Sequence, residues 1–247
     1  MPAKSSSSSP KGGCCSSKSG KSCGCNCGAG FSVLLKYLVI VLSVLAPIFY
    51  ALDKQLERFY VFDLDQLREV SAKGIALHGN DTRAIVQHIV GELAADPKVS
   101  RYVNTHEDWV FNNAGGAMGA MYIIHASITE YLIIFGTAVG TEGHTGRHTA
   151  DDYFHILTGV QQAYVPGKYE PEVYPPGTIH HLRRGDVKQY KMPEGCFALE
   201  YARGWIPPML FFGFADGLSS TLDVPTLWKT SWLTAKEMLG NLALGKF

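Results

Sequence analysis

The sequence is poor in the residues that would hold a small fold together covalently or attract a charged polymer. Five of its six cysteines lie within the first 27 residues, which leaves Cys196 alone in the rest of the chain. A fold held by disulfide bonds is therefore excluded. The 22 basic and 22 acidic side chains give a formal net charge of zero, and no arginine-rich stripe occurs. The charge pattern therefore gives no sign of a nucleic-acid partner.

The sequence gives no support for hydrolytic or phosphate chemistry either. The pattern G-x-S-x-G occurs once, as "GKSCG" at positions 20–24, but it lies in the low-complexity N-terminal tract and no strand precedes it. "SGKS" does not complete a phosphate-binding loop, because Cys15 stands where that loop needs glycine. A metal site is the obvious alternative, since His144 and His148 are four residues apart and "HH" occurs at positions 180–181. On a strand, however, His180 and His181 point to opposite faces, and two glycines in "EGHTGRH" favour a loop. We therefore expect neither a metal nor another cofactor.

Only one hydrophobic run is long enough to cross a membrane. It covers residues 31–52, "FSVLLKYLVIVLSVLAPIFYAL", and predicts a single transmembrane anchor. A cleaved signal peptide is the alternative, disfavoured by the thirty residues before the run and by the lack of an A-x-A site. Those residues, 1–30, are rich in Ser, Gly, Lys and Cys and predict a disordered tail. Their lysines place the N-terminus in the cytosol and the main domain in the lumen.

Beyond the anchor, residues 53–128 have mainly helical spacing. Apolar periodicity predicts helices over 63–77 and 81–96, with Asp81 as the N-cap of the second. The methionine spacing of the following segment predicts a third helix over about Gly116 to Ser127. We therefore expect this part of the chain to be a helical segment that packs on a β domain.

Residues 129–206 change to short apolar runs separated by turn signals. "VPGKYEP", "YPPGT", "RRGD" and "MPEG" recur at intervals of about ten residues, which predicts an antiparallel barrel or sandwich. Residues 207–247 return to helical spacing and break at 217–220 and again at Pro225. Their large Phe and Trp side chains favour two helices at the membrane surface, and ordinary packing against the β domain is compatible with that.

One carboxylate stands in an otherwise apolar stretch, "CFALEYARGWIP". Strand alternation puts Glu200 on the same face as the small residues Cys196, Ala198 and Ala202. The side chain then either lines an apolar cavity or lies at a solvated edge, or pairs with Arg203.

Two further acids, Asp151 and Asp152, follow a glycine-rich loop. Two acids that share one apolar cavity cannot both ionise readily, so one keeps its proton at neutral pH, as acid catalysis on an apolar molecule requires. A helix cap or a surface pair is the other interpretation of Asp151 and Asp152.

Several long motifs resemble one known family. "FNNAGGAMGAMYIIHASITEYLIIFGTAVGTEGHTGRH", "EVYPPGT" and "LEYARGWIP" are similar to the family that joins the fungal C-8 sterol isomerase to the sigma non-opioid receptor. "TEGHTGRHTADDYFHILTG" favours the isomerase branch, and the resemblance covers about residues 55–240. It implies an α+β protein of the endoplasmic reticulum membrane with an N-terminal transmembrane helix, a cupin-like antiparallel β-barrel flanked by helices, two C-terminal membrane-adjacent helices and homotrimeric assembly.

The resemblance also implies a function. The isomerase branch moves the sterol double bond from C8 to C7 in ergosterol biosynthesis, on fecosterol- or zymosterol-type substrates and without a redox cofactor, through a C8 carbocation. The alternatives are a non-catalytic sigma-receptor-like binding protein for sterols or cationic amphiphiles, and a metal-dependent cupin enzyme.

Individual site residues carry over from the same motifs. The key carboxylate of the receptor branch falls on Glu200, and a tyrosine that hydrogen-bonds to it falls on Tyr131. The second acid of the receptor falls on Phe154, so an acidic partner must come from Asp151 or Asp152. The expected catalytic residues are therefore Glu200, Asp151, Asp152 and Tyr131. The expected cavity residues are Phe135, Ile133, Phe154, His180, Met192 and Ala198.

Overall fold

A computed structural model describes the backbone of residues 27–247 and the side chains from Val33 onward. The chain divides into two compact units, one ending at Phe49 and the other comprising Tyr50–Phe247. The disordered tail predicted for residues 1–30, with its cysteines, lies almost entirely outside the described residues.

The described residues of the first unit belong to a long apolar helix. Helix α1 (Cys27–Asp53) contains the segment Val33–Asp53, which has a mean hydropathy of 2.2 and no buried side chains in its most apolar stretch. At 1.5 Å per residue such a segment spans roughly the 30 Å of a hydrocarbon core. The helix therefore fits the membrane anchor predicted over residues 31–52.

Two capped helices open the second unit. Helix α2 (Leu64–His78) begins after Asp63, whose side chain accepts hydrogen bonds from the next backbone N–H groups. Helix α3 (Thr82–Ala95) begins after Asp81, which accepts from Ala84 N. Both helices and the Asp81 cap are confirmed as predicted, because the polar N-cap and the apolar periodicity agree at each boundary.

The β domain consists of two antiparallel sheets. The strands within residues 27–247 are β1 (Trp109–Ala114), β2 (Ala117–Ala126), β3 (Glu130–Thr137), β4 (Thr141–His144), β5 (Ala150–Thr158), β6 (Gln161–Tyr164), β7 (Glu172–Tyr174), β8 (Ile179–Leu182), β9 (Gln189–Met192) and β10 (Cys196–Gly204). One sheet has the order β1-β2-β3-β10-β5-β8 and the other β4-β9-β6-β7. In this described part of the chain no strand ladder joins the two sheets into a closed barrel. The predicted α+β class with antiparallel sheets between helices is confirmed.

The helix predicted over Gly116 to Ser127 is wrong, because this segment forms strand β2. Gly115 and Gly116 have φ angles of +65° and +80° and make a two-residue hairpin turn between β1 and β2. A Cβ atom on Gly119 would come within 2.6 Å of the Phe135 ring on the neighbouring strand. The glycines thus serve strand pairing, while the methionine spacing resembled a helical face.

Two C-terminal helices complete the fold. Helix α4 (Ile206–Asp216) runs into a π-helical turn over Gly217–Thr221, and helix α5 (Val224–Ala243) begins after Asp223, whose carboxylate accepts from Thr226 N. The predicted pair of helices, with a break after Asp216, is confirmed.

The six-stranded sheet separates two apolar cores. Leu199 and Tyr201 of β10 face helices α2 and α3, together with residues such as Leu132 and Ile134 of β3. The opposite face of the sheet carries Cys196, Ala198, Ala202, Tyr131, Ile133, Phe135 and Phe154. The alternation predicted for β10 is therefore confirmed, and Glu200 belongs to the second face, away from the N-terminal helices.

A buried ion pair connects the sheet to the end of the chain after α5. Glu130 is fully buried at the start of β3 and accepts hydrogen bonds from Val61 N, Phe62 N and, at 2.6 Å, the Tyr201 hydroxyl. Its carboxylate also lies 2.8 Å from the Lys246 ammonium, which is 3% exposed. The chain following α5 is therefore fixed against the sheet on which the cavity is built.

Replacing Lys246 with methionine should lower the free energy of unfolding by about 3–5 kcal/mol, because Glu130 would remain buried without its cation. The measurement is thermal unfolding of the purified protein by circular dichroism. Lys73→Met is the matched control, since Lys73 forms an exposed pair with Glu69 at 2.8 Å. Equal melting temperatures for the two variants would contradict the role assigned to Lys246.

Candidate active site

A cavity of about 400 Å³ lies between the large sheet and helices α4 and α5. Strands β2, β3, β5, β9 and β10 supply Met121, Tyr131, Ile133, Phe135, Asp152, Phe154, Tyr190 and Glu200. The two helices supply Met209, Leu210, Phe212, Gly213, Phe214, Thr226, Leu227, Thr230, Ser231, Thr234, Ala235 and Met238. The volume is that of a pocket for a small organic ligand, and most of its wall is apolar.

Glu200 and Asp152 come together on the cavity face of the sheet. Glu200 lies opposite Phe154 of β5, whereas Asp152 lies opposite Ala202, two residues further along β10. The two acids are therefore diagonal neighbours on one face, at a spacing that long side chains can bridge. Their carboxyl groups are hydrogen-bonded to each other. Asp152 is only 2% exposed, and its Oδ1 atom has no hydrogen-bond partner among the described residues.

Burial makes both acids hard to ionise. It raises the pKa of Glu200 well above its ordinary value, and the charge of Asp152 raises this pKa further. Burial also raises the pKa of Asp152 to about 7, although the hydrogen bond from Glu200 opposes this rise. Both effects agree with a protonated Glu200 that donates its hydrogen bond to an ionised Asp152. The pair therefore holds at least one proton at neutral pH, and Asp152 ionises as the pH rises through about 7.

Asp151, the other acid considered from the sequence, lies on the opposite face of β5. Its Oδ1 atom lies 2.9 Å from Nε2 of His181 and accepts a hydrogen bond from Arg184 N. Adjacent strand residues point to opposite faces, so only one of the two aspartates can reach the cavity. The structure brings Asp152, and not Asp151, to Glu200.

Tyr131 lies on the cavity wall next to the acid pair, but its hydroxyl contacts helix α5. The hydroxyl oxygen lies 3.5 Å from Thr234 Oγ1 and 3.9 Å from Met121 Sδ. Burial raises the pKa of Tyr131, and the charge of Glu200 adds to this effect. The implied hydrogen bond from Tyr131 to the carboxyl group of Glu200 is replaced by this contact with Thr234, because α5 closes over the strand.

Three of the six expected cavity residues, Ile133, Phe135 and Phe154, line the cavity. Met192 and Ala198 are fully buried in the core beside it and do not form its wall. His180 is also fully buried, with Nδ1 2.7 Å from Gln161 Oε1 and its ring stacked against those of Phe154 and Tyr174. These last three residues therefore support the wall from behind.

Tyr190 and the hydroxyl residues of α5 also line the cavity, and they were not among the residues predicted from the sequence. Tyr190 belongs to the smaller sheet, and the charges of Glu200 and Asp152 add to burial in raising its pKa. A strand in a separate sheet has no fixed spacing from β10, so no sequence pattern could place Tyr190 beside the acids. The threonines of α5 were available as a signal, since they recur every four residues at 226, 230 and 234.

The histidines considered for a metal site are dispersed. His180 and His181 point to opposite faces of β8, as alternation predicts. The rings of His144 and His148 both pack near Phe212 of α4, and each has a local partner: His144 Nδ1 accepts from Gly146 N, and His148 Nε2 lies 2.5 Å from the Thr145 carbonyl. Among the described residues no group of three or more His, Cys, Asp or Glu side chains could hold a metal ion.

Comparison with known proteins places these residues in a family. Residues 39–246 match the family described as ERG2 and Sigma1 receptor like protein. A C-8 sterol isomerase of Pyricularia oryzae is 72% identical over 216 residues, which cover 87% of this chain and 98% of the relative. Sigma non-opioid intracellular receptor 1 of Danio rerio is 35% identical over 209 residues, which cover 83% of this chain and 91% of that protein.

Among solved structures, an RmlC-like cupin from Shewanella frigidimarina is similar to 44% of this chain and 98% of its own, at a TM-score of 0.35 and 12% identity. The family match extends from within α1 to the residue after Gly245. With its hydrogen-bonded acid pair inside an apolar cavity, the chain belongs to the ERG2 and Sigma1 receptor like protein family.

Proposed function

We propose that this protein is a C-8 sterol isomerase of ergosterol biosynthesis, which moves the sterol double bond from C8 to C7. The observation that carries the proposal is the hydrogen-bonded pair of Glu200 and Asp152 in a largely apolar cavity. A relative of this name is 72% identical across most of the chain. The substrate is a tetracyclic Δ8-sterol of the fecosterol or zymosterol type, whose hydrocarbon rings match the apolar wall.

The reaction needs one group that donates a proton to C9 and one that accepts a proton from C7. Protonated Glu200 gives its proton to C9, the C8–C9 double bond supplies the electron pair, and a cation forms at C8. Ionised Asp152 then takes a proton from C7, and the C7–H electron pair forms the C7–C8 double bond. Because C7 and C9 are both bonded to C8, a hydrogen-bonded acid pair can serve both positions. The proton returns from Asp152 to Glu200 along their hydrogen bond, so no external reactant is consumed.

The cavity also stabilises the cation. After the first step both carboxyl groups are ionised and face the positive C8 from the sheet. Tyr131, Phe135, Phe154 and Tyr190 line the same space, and aromatic rings attract a cation through their electron-rich faces. The apolar wall excludes water, which strengthens these interactions and keeps water from adding to C8.

The function is tested by expressing the full chain in fungal cells that lack their own C-8 sterol isomerase and analysing the sterols by mass spectrometry. The proposal predicts that accumulated Δ8-sterols are converted to Δ7-sterols. Cells that keep their Δ8-sterols, although the protein is present and binds sterol, would instead favour the non-catalytic binding protein.

The rate should depend on pH in a bell shape. Asp152 must be ionised, so kcat rises as the pH passes upward through its pKa of about 7. Glu200 must be protonated, so kcat falls at a higher pH, because burial and the Asp152 charge raise the pKa of Glu200 well above its ordinary value. In Asp152→Asn the charge is absent, and the remaining activity should begin to fall at a lower pH than in the wild type. The measurement is kcat of purified protein across the pH range, and a flat profile would contradict the shared proton.

Three further features belong to the same proposal. The apolar helix α1 supports anchoring in the endoplasmic reticulum membrane, and the lysines that precede it support a lumenal position of the main domain. Trp228 and Trp232, which are 72% and 60% exposed on α5, support contact of the C-terminal helices with the membrane surface. Assembly as a homotrimer rests on the resemblance to the family.

A further inference from the structure

Helix α5 turns a row of hydroxyl side chains toward the cavity and several of its large apolar side chains toward the outside. Val224, Trp228, Trp232 and Leu239 are between 59% and 72% exposed. The cavity side carries Thr226, Thr230, Ser231 and Thr234. An ordinary surface helix has the reverse arrangement. The inward row of hydroxyl groups therefore needs its own explanation, since it adds polar atoms to a cavity whose wall is mostly apolar.

Most of these hydroxyl groups are already used within the protein. Ser231 Oγ donates to the carbonyl of Leu227 at 2.7 Å, and Thr234 Oγ1 lies 3.5 Å from the Tyr131 hydroxyl. Thr230 differs, because its Oγ1 atom is buried and has no hydrogen-bond partner among the described residues. A helical threonine can return its hydroxyl to a carbonyl of the preceding turn, and leaving a buried hydroxyl unpaired costs free energy. The free hydroxyl of Thr230 is thus available to a ligand in the cavity.

The position of Thr230 along the cavity follows from helix geometry. Thr234 contacts Tyr131, whose strand β3 is the direct neighbour of the Glu200 strand. Thr230 is one turn earlier in α5, about 6 Å further from this contact along the helix axis. In a sterol bound with C8 at the acids, the reacting carbons C7, C8 and C9 belong to ring B. Ring A is fused to one side of ring B. Ring A carries the 3β-hydroxyl, the only polar group of the molecule.

We propose that the Thr230 hydroxyl donates a hydrogen bond to the 3β-hydroxyl oxygen of the sterol and so sets the position of C7 and C9 at the acid pair. This assignment rests on the proposed sterol isomerase function. Thr230 is a binding and positioning residue and takes no part in the proton transfers. The sterol hydroxyl gives Thr230 the partner that the protein itself does not supply.

His148 also lines the cavity, and among the described lining residues it offers the other unpartnered buried atom outside the acid pair. Its Nδ1 atom is buried and has no partner in the described chain, while Nε2 lies 2.5 Å from the Thr145 carbonyl and therefore carries the proton. Nδ1 can consequently only accept a hydrogen bond. A sterol 3-ketone distinguishes the two residues, because a ketone can accept from Thr230 but has no proton to give to His148.

The test compares kcat/KM of the purified full-length protein for three Δ8-sterols that carry a 3β-hydroxyl, a 3-ketone or no oxygen at C3. In the wild type the 3-deoxysterol should be about ten- to a hundredfold poorer than the 3β-hydroxysterol, whereas the 3-ketone should stay within a few fold. Thr230→Val keeps the shape and should abolish this discrimination. Thr230→Ser keeps the hydroxyl and should retain it, a rescue that a structural role for Thr230 would not predict.

Several results would overturn the assignment. The assignment of Thr230 fails, and the isomerase function is kept, if the wild type converts the 3-deoxysterol as well as the 3β-hydroxysterol. The same conclusion follows if Thr230→Val discriminates between these sterols as the wild type does. Rejection of both the ketone and the 3-deoxysterol would show that the sterol 3β-hydroxyl donates its hydrogen bond to an acceptor such as His148, and not that it accepts one from Thr230. A wild-type protein that converts none of the three sterols overturns the proposed isomerase function and this assignment together.

Discussion

Glu200→Gln is expected to lower kcat for a Δ8-sterol by about 10²- to 10⁴-fold, the range that general acid catalysis contributes. Glutamine has nearly the shape and the hydrogen-bonding capacity of a protonated glutamic acid but no proton to transfer. Because Glu200 is protonated in the resting protein, the substitution should leave the melting temperature and the sterol affinity close to those of the wild type. The measurement is turnover by mass spectrometry, with thermal unfolding and sterol binding determined on the same preparation.

The outcome separates chemistry from binding. A variant that folds, binds sterol and does not convert it confirms that the carboxyl group of Glu200 acts in the reaction. A variant with wild-type turnover would show that another group protonates C9, and the role proposed for Glu200 would be abandoned. A loss of sterol affinity equal to the loss of turnover would show that Glu200 only holds the ligand.

Asp152→Asn should also lower kcat by about 10²- to 10⁴-fold, because asparagine cannot accept the proton from C7. A second effect is expected on inhibitors. A cationic amine that mimics the C8 cation should bind tightly to the wild type and markedly more weakly to this variant, since the variant lacks the negative charge that faces the cation. The measurements are kcat and the amine dissociation constant at neutral pH.

Asp151→Asn is the matched control, because the same change is made one residue away. Asp151 points to the other face of β5, where it meets His181 and Arg184, so its variant should keep turnover within a few fold of the wild type. Equal losses of turnover in the two variants would mean that the reaction needs a negative charge on strand β5 but no proton transfer to Asp152. A larger loss in Asp151→Asn would reverse the assignment of the two aspartates.

Much of the fold could be predicted from local signals. Asp63 and Asp81 each begin a helix, because their side chains accept hydrogen bonds from backbone N–H groups of the first turn. Pro225 marks the start of α5, because proline has no backbone N–H to continue a preceding helix. These signals depend only on residues close in sequence, so a short stretch of sequence is enough to predict them. Strand β2 could not be predicted from methionine spacing, because its pairing with β1 and β3 overrides the local pattern. The Gly115-Gly116 turn was the sequence signal that would have corrected it.

The candidate site was also predictable only where it depends on residues close in sequence. Alternation along β10 put Glu200 on the small-residue face, and alternation along β5 already separates Asp151 from Asp152. Which aspartate meets Glu200 depends on the register between two strands nearly fifty residues apart in sequence, and no local pattern contains that register. Tyr190 and the residues of α5 reach the cavity wall only because the smaller sheet and this helix pack over the larger sheet.

Infrared spectroscopy can show whether Glu200 holds a proton, hydrogen-bonded to Asp152, in the cavity at neutral pH. The wild-type protein should show the carbonyl stretch of a protonated carboxylic acid at neutral pH. Difference spectra should lose this band in Glu200→Gln and keep it in Asp151→Asn. If the wild type shows no protonated carboxyl group at neutral pH, or if the band remains in Glu200→Gln, then Glu200 does not hold the proton and the proposed mechanism is wrong.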